Sequence, residues 1–296
     1  MPKIVVIGES GQLAQSLRAL HWPSGFTLAL HGRRSLKGNL EADLLRDVLR
    51  TEGAHLVVNA AAYTAVDHAE SEPQAASALN ARLPQTLAAA CAELDLPLVH
   101  SSTDYVFDGQ KGAPYVETDA PNPLSVYGQT KLQGERAIEQ AGALRRWAIL
   151  RASWVVSEVG DTFPVKLLRR ARAGEALRVV NDQWGCPTVA SDLARAIQEV
   201  ALRQLDGEGA ACGLFHFCGA SDMSWYGFAE RVLAAAKKTG LKPPPLQAIT
   251  TAELNAPARR PLYSVLSCAR IRQSLGLSAV AIESDLDRMV RSILAR

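Results

Sequence analysis

The chain has 296 residues, of which 48% are apolar and 21% charged, and a formal net charge of +2. That composition describes a globular protein with one large α/β domain or two lobes. The near-neutral charge gives no basis for binding nucleic acid or an anionic membrane surface, and no apolar run approaches the ~20 residues needed to cross a bilayer. Five cysteines (Cys91, Cys186, Cys212, Cys218 and Cys268) make an odd number without a CxxC pair. Neither a disulfide framework nor a zinc cage is expected, and reduced thiols in a cytoplasmic protein are the default. The first apolar run is too short for a signal peptide.

Residues 4–7 are β-branched, apolar and followed by Gly8, as in a strand buried on both faces of a parallel sheet. Gly8-Glu9-Ser10-Gly11-Gln12-Leu13-Ala14 follows, and then Leu13, Leu17 and Leu20 recur at helical spacing. Strand, glycine turn and helix in this order cradle a pyrophosphate: the glycines permit close backbone approach, and the helix start offers free N–H groups. The pattern is GxxGxxA, looser than GxGxxG, and a plain βα connection has the same appearance. Residues 26–30 form a second strand, which runs into His31-Gly32-Arg33-Arg34. An NAD site normally ends this strand in a carboxylate for the ribose, whereas an arginine such as Arg33 suits the 2′-phosphate of NADP(H).

Residues 41–51 read as a helix with Asn39 at its N-cap, and residues 55–59 as a third strand leading into Ala60-Ala61-Ala62-Tyr63-Thr64. Small residues past a strand end let a cofactor lie against the backbone. Pro73 opens an alanine-rich helical region to residue 93, interrupted near Pro84. Residues 97–100 are a fourth strand. The β-α-β-α-β-α-β order calls for a doubly wound parallel sheet covered on both faces. The fourth strand ends in Ser101-Ser102-Thr103-Asp104, whose hydroxyls are expected to face the ligand crevice.

After the proline-rich loop 120–125, a helix starts that carries Tyr127 and Lys131 four residues apart, on one face. An ammonium beside a phenol favours the phenolate and lowers its pKa from about 10. The pair then gives a proton to a carbonyl oxygen while hydride reaches the carbon. This spacing also arises by chance, so its weight comes from the surrounding motifs. Residues 148–156 form another strand. Beyond it helices are expected at residues 163–173, 191–205, 224–239 (capped by Ser224) and 284–294, with a short strand near residues 214–217. The chain divides into a dinucleotide-binding domain, residues 1–157, and a smaller α/β substrate lobe, residues 158–296, with segments crossing back to the first.

Together these features resemble the extended short-chain dehydrogenase/reductases, in the branch that reduces a 4-keto sugar nucleotide. The resemblance covers nearly the whole chain. It is carried by Gly8-xx-Gly11-Gln12-Leu13, by Asn59 to Asp67, by Ser102 to Gly109, by Tyr127-Gly128-x-Thr130-Lys131, by Arg151-x-Ser153-Trp154, by Asp182 to Thr188 and by Arg259-Arg260-Pro261. It implies reduction of the C4 ketone of a deoxythymidine-diphosphate 6-deoxy-hexulose by NADPH, with NADH as the other candidate. By the same resemblance Tyr127 donates the proton, Lys131 lowers its pKa and holds the nicotinamide ribose, and Thr103 bonds the sugar oxygen. Asp104, Trp154 and Arg259 fall at substrate positions. Gly8, Ser10, Gly11, Gln12, Leu13, Asn39, Leu40, Ala61, Ala62, Tyr63 and Thr64 fall at cofactor positions.

Departures are Ala14 at the end of the glycine turn, Asn39 where Asp is common, Tyr63 where His is common, and Trp184 and Cys186 in place of Phe and Ala. Some members form homodimers through magnesium held by glutamates; no such site is assigned here, so no metal is expected. Two other functions share these motifs: a sugar-nucleotide epimerase or dehydratase that retains NAD, and a regulatory subunit that binds a dinucleotide without turnover. Arg259 and Arg260 suit a diphosphate or a structural ion pair.

Overall fold

In the computed structural model, which describes residues 1–33, 35–36 and 41–296, the chain begins with β1 (Lys3–Ile7), α1 (Gln12–Ala19), β2 (Thr27–His31), α2 (Ala42–Glu52) and β3 (Leu56–Asn59). The expected helix cap at Asn39 lies outside the described residues. Next come α3 (Val66–Ser71), α4 (Pro73–Ser77), α5 (Leu83–Glu93), β4 (Leu98–Thr103), α6 (Val126–Glu139) and β5 (Trp147–Ala152). The second half holds β6 (Val155–Val156), α7 (Phe163–Arg172), β7 (Leu177–Val180), β8 (Trp184–Gly185), β9 (Thr188–Val189) and α8 (Ala190–Leu205). It ends with β10 (Gly213–His216), β11 (Met223–Ser224), α9 (Trp225–Lys237), β12 (Leu246–Ile249), α10 (Thr251–Leu254), α11 (Ala269–Leu275) and α12 (Glu283–Leu294).

Among the described residues the main sheet has six strands in the order β10-β5-β4-β3-β1-β2, all parallel. Ile4, Val5 and Val6 are fully buried because both faces are covered. Each such side chain contributes about 1.5–3 kcal/mol of burial. One face packs on α1, α8 and α11, the other on α2, α5 and the end of α6. β1 pairs with β2 on one side and β3 on the other. The winding direction therefore reverses at β1, and in open α/β sheets the crevice for a ligand opens at the carboxyl ends of the strands there.

The second half is shared between two cores. α8 and β10 return to the main sheet and its core, whereas α7, α9 and α12 enclose a separate apolar cluster around Phe228, Val232 and Met289. Ser224 caps α9, its hydroxyl accepting from the Gly227 N–H at 3.0 Å. The strand expected over residues 148–156 is broken: β5 stops at Ala152, and Trp154 adopts φ +45° before β6 begins. A left-handed residue cannot continue a strand.

The interruption expected near Pro84 is a π-helical turn, Ala78–Arg82, where the Leu83 N–H reaches back five residues to the Ala78 carbonyl. Pro84 has no N–H for the Asn80 carbonyl four residues earlier, and that carbonyl turns towards α6. A Cβ added at Gly134 would stand 2.1 Å from the Asn80 oxygen and 3.0 Å from Pro84 Cγ. Gly134→Ala is therefore expected to cost about 1–3 kcal/mol through overpacking, read as a lower urea midpoint at unchanged slope. An unchanged midpoint would mean that α6 and the π turn separate freely.

Candidate active site

The crevice floor is built from three strand ends. Gly8 N donates to the His31 carbonyl and Ala60 N to the Ile7 carbonyl, both at 2.8 Å. Gly8 sits at φ +125°, and a Cβ there would come within 3.1 Å of the Ala60 carbonyl carbon and the Ala61 nitrogen. Only glycine lets the strand ends close in this way. Gly11 starts α1 without a side-chain cap, so the first-turn N–H groups are available to an anion. Ser10 and Gly11 are exposed at this rim. Gln12 points elsewhere: its amide donates to the Val155 carbonyl at 2.9 Å and accepts from Ser157 at 3.1 Å. Leu13 is a core residue, so only their backbones face the crevice. Arg33 is exposed just beyond β2. Leu40, like Asn39, lies outside the described residues.

The segment with Ala61, Ala62, Tyr63 and Thr64 forms the next wall. Asn80, inside the π turn, holds it. Its Oδ1 accepts from Tyr63 N at 2.9 Å, and its Nδ2 donates to the Tyr63 carbonyl at 3.1 Å and to Thr130 Oγ1 at 3.2 Å. Sequence reasoning missed Asn80. The only signal was an asparagine in an alanine-rich helix four residues before a proline. The Tyr63 hydroxyl donates to Glu72 at 2.7 Å.

Ser125 caps α6 through a bond from Gly128 N at 3.2 Å, placing Tyr127 in the first turn as expected. Its ring meets Tyr105 edge-on at 5.9 Å, and Thr103 is among the groups that act on its phenol. Thr103 Oγ1 donates to Asp104 at 3.2 Å and accepts from Tyr105 N at 3.2 Å. Tyr127 keeps some accessible surface, yet the protein packed round its ring pushes the phenol up to about 12. Thr103 acts against this and the Asp104 charge with it. The groups that move the phenol here are the protein round it, Thr103 and Asp104, while Lys131 has other partners. Lys131 is buried, with Nζ donating to the Ser101 carbonyl at 2.6 Å and lying 3.3 Å from His100 Nε2. Burial pulls the lysine itself down to about 8, against the charge of Glu135.

Of the hydroxyls at the end of β4, Thr103 bonds Asp104 and the Tyr105 N–H. Ser102 points into the interior and donates to Glu135, which corrects the expectation for that strand end. Asp104 is fully enclosed and accepts from Ser264 at 2.5 Å and Ser153 at 3.1 Å. Its burial raises it to about 6 in spite of those bonds. Trp154 stacks on Trp225 at 3.6 Å and lies over Gly185, where a Cβ would come within 2.5 Å of the indole. Left-handed backbone at a bulky residue is uncommon and concentrates at functional sites. The two arginines separate: Arg260 forms a two-pronged bond with Asp67 at 2.8 and 2.9 Å, the structural pairing. Arg259 is exposed and has no ion-pair partner among the described residues.

A doubly wound parallel sheet with a glycine turn at the end of β1 and Tyr127 at the start of α6 has the architecture of the extended short-chain dehydrogenase/reductases, and the relatives place the chain among their oxidoreductases. The RmlD substrate binding domain family matches residues 2–295. A dTDP-4-dehydrorhamnose reductase of Sinorhizobium fredii is 40% identical over 99% of this chain and 98% of its own. A crystal structure of the reductase of that name from Clostridium acetobutylicum superposes with a TM-score of 0.88 at 31% identity, covering 99% of this chain and 100% of that one. The Bacillus anthracis reductase, crystallised in complex with NADP, gives a TM-score of 0.88 at 28% identity, over 98% of this chain and 99% of that one. The chain belongs to the dTDP-4-dehydrorhamnose reductase family. No helix among the described residues is long and apolar enough to cross a membrane.

Proposed function

We propose that this protein reduces the C4 ketone of dTDP-4-dehydro-L-rhamnose to dTDP-L-rhamnose, with NADPH as reductant and Tyr127 as proton donor. The reading rests above all on the place of Tyr127, in the first turn of α6 with its ring edge-on to Tyr105, two residues past the end of β4. The residues present suit a dinucleotide phosphate. Gly8 gives close backbone access, the uncapped N–H groups of α1 suit the pyrophosphate, and Ala61 and Ala62 present little side chain. Arg33 is available to a 2′-phosphate. When bound, the nicotinamide supplies hydride to C4.

The protein's own part is the proton. As C4 accepts hydride, its oxygen becomes an alkoxide, and the O–H bond of Tyr127 breaks towards it. A phenol held near 12 stays protonated at neutral pH, so the donor is loaded before substrate arrives. Thr103 has one O–H, held by Asp104 in the resting site; turned towards the phenolate that remains, it supports that charge, and Lys131 adds positive charge on the same face of α6 when protonated. Trp154 and Arg259 are assigned to the sugar nucleotide, the one by the rim of its indole, since Trp225 and Gly185 cover its faces, and the other by charge.

The deciding experiment is NADPH oxidation, beside NADH, with the dTDP-4-keto sugar and its analogues on other nucleotides. Consumption of one NADPH per ketone supports the reading. Tightly held NAD in the purified protein, with no net consumption, would instead support an epimerase or dehydratase. Dinucleotide binding without ketone-dependent oxidation would support a regulatory subunit.

A further inference from the structure

Lys131 ends a buried polar chain whose other members, Asn59 and His100, the proton-donor mechanism does not use. Ala61 N donates to Asn59 Oδ1 at 3.2 Å. A backbone N–H can only donate, so the amide oxygen of Asn59 must face it and the NH₂ group faces the other way. That group lies 3.0 Å from His100 Nδ1, which must therefore be the bare, accepting nitrogen. Burial and the nearby lysine hold His100 neutral, well below its ordinary range, and a neutral imidazole then carries its proton on Nε2. Nε2 lies 3.3 Å from Lys131 Nζ. An imidazole N–H meets a lone pair on a neutral amine there but opposes an ammonium. Asn59, His100 and Lys131 are 1%, 0% and 2% exposed, so water does not screen the conflict.

We propose that Asn59 and His100 are positioning residues whose fixed hydrogen-bond polarity presents an N–H to Lys131 and so sets when that lysine carries a proton. This rests on the assignment of Lys131 to the reductase site. The other charged group facing Lys131 is Glu135, one turn further along α6; it favours the ammonium but is itself paired with Arg151 of β5 at 2.6 Å. The balance makes the charge beside the proton donor respond to pH near neutrality.

The test is imidazole ¹⁵N and lysine ¹³Cε/¹⁵Nζ resonances on the full chain between about pH 6 and about pH 9. His100 is expected with Nε2 protonated and Nδ1 bare throughout. In Asn59→Asp the carboxylate accepts from Nδ1–H, the tautomer reverses, and Nε2 becomes an acceptor for the ammonium. The Lys131 titration then rises by at least about one pH unit. The same change in a His100→Leu background isolates the through-space effect of the added carboxylate. An Nδ1–H tautomer in the natural protein overturns the proposal, as does an equal shift without the imidazole. Should Asn59→Asp not fold, the natural tautomer alone decides. No sugar nucleotide enters these titrations. Failure of the reductase assay with the expected resonances therefore refutes the function alone, and the converse refutes the positioning chain alone.

Discussion

Tyr127→Phe is expected to lower turnover by at least about 10²-fold, the low end for loss of a general acid, while NADPH affinity is retained. The substitution removes one oxygen and keeps the ring that packs edge-on against Tyr105 at 5.9 Å, so the start of α6 and its Ser125 cap are preserved. The loss should fall on kcat rather than KM, because the phenol's proton moves only as the alkoxide forms. Fluorescence titration with NADPH checks the binding, and steady-state rates with the 4-keto sugar nucleotide check the turnover. Near-normal turnover would remove the phenol from the mechanism. Thr103→Val should give a smaller loss, since Thr103 supports the phenolate without supplying the proton.

Glu135→Ala is expected to destabilise the fold by about 3–5 kcal/mol, the usual cost of leaving a buried charge without its partner. The Arg151 and Glu135 side chains are 3% and 1% exposed. Arg151 reaches Glu135 through Nε at 3.0 and 3.1 Å and through Nη2 at 2.6 Å. Its guanidinium also lies over the Phe107 ring at 5.1 Å, leaving little room to turn away. Urea unfolding measures the change. A double substitution, Glu135→Leu with Arg151→Met, should recover most of the loss, because it removes both charges and fills the space. A loss below about 1 kcal/mol in the single variant would mean that water reaches Arg151. Since Glu135 favours the charged form of Lys131, its removal should also draw the lysine's titration downward.

Much of the first half was legible because its signals are local. The buried run of β1, the glycine turn and the leucine spacing of α1 lie within twenty residues of one another, and each element forms where periodicity and turn chemistry agree. Ser224 marked the start of α9 for the same reason, since a cap acts on N–H groups two or three residues away. Tyr127 could be placed in the first turn of its helix from a proline loop and a serine. The return of α8 and β10 to the main sheet was visible only as a general possibility of segments crossing back, because a short parallel strand carries no mark of the partner it will find. The break at Trp154 was hidden for a related reason. Its left-handed backbone is held by Gly185 beneath the indole and Trp225 upon it, both far along the chain.

The candidate site divides in the same way. The sequence by itself determined the class of sheet, the glycine turn between β1 and α1 and the helix that bears Tyr127, because these follow from neighbours along the chain. Only the tertiary structure decided which polar groups meet. Asn59 finds His100 across 41 residues, Lys131 finds His100 across 31, and Asn80 finds Thr130 across 50. It also gave Lys131 the Ser101 carbonyl and His100 as partners, sent Ser102 inward to Glu135 and left Arg260 to Asp67 while Arg259 stayed exposed. A buried donor must find an acceptor, and which acceptor is within reach is settled by packing of distant elements rather than by spacing along the chain.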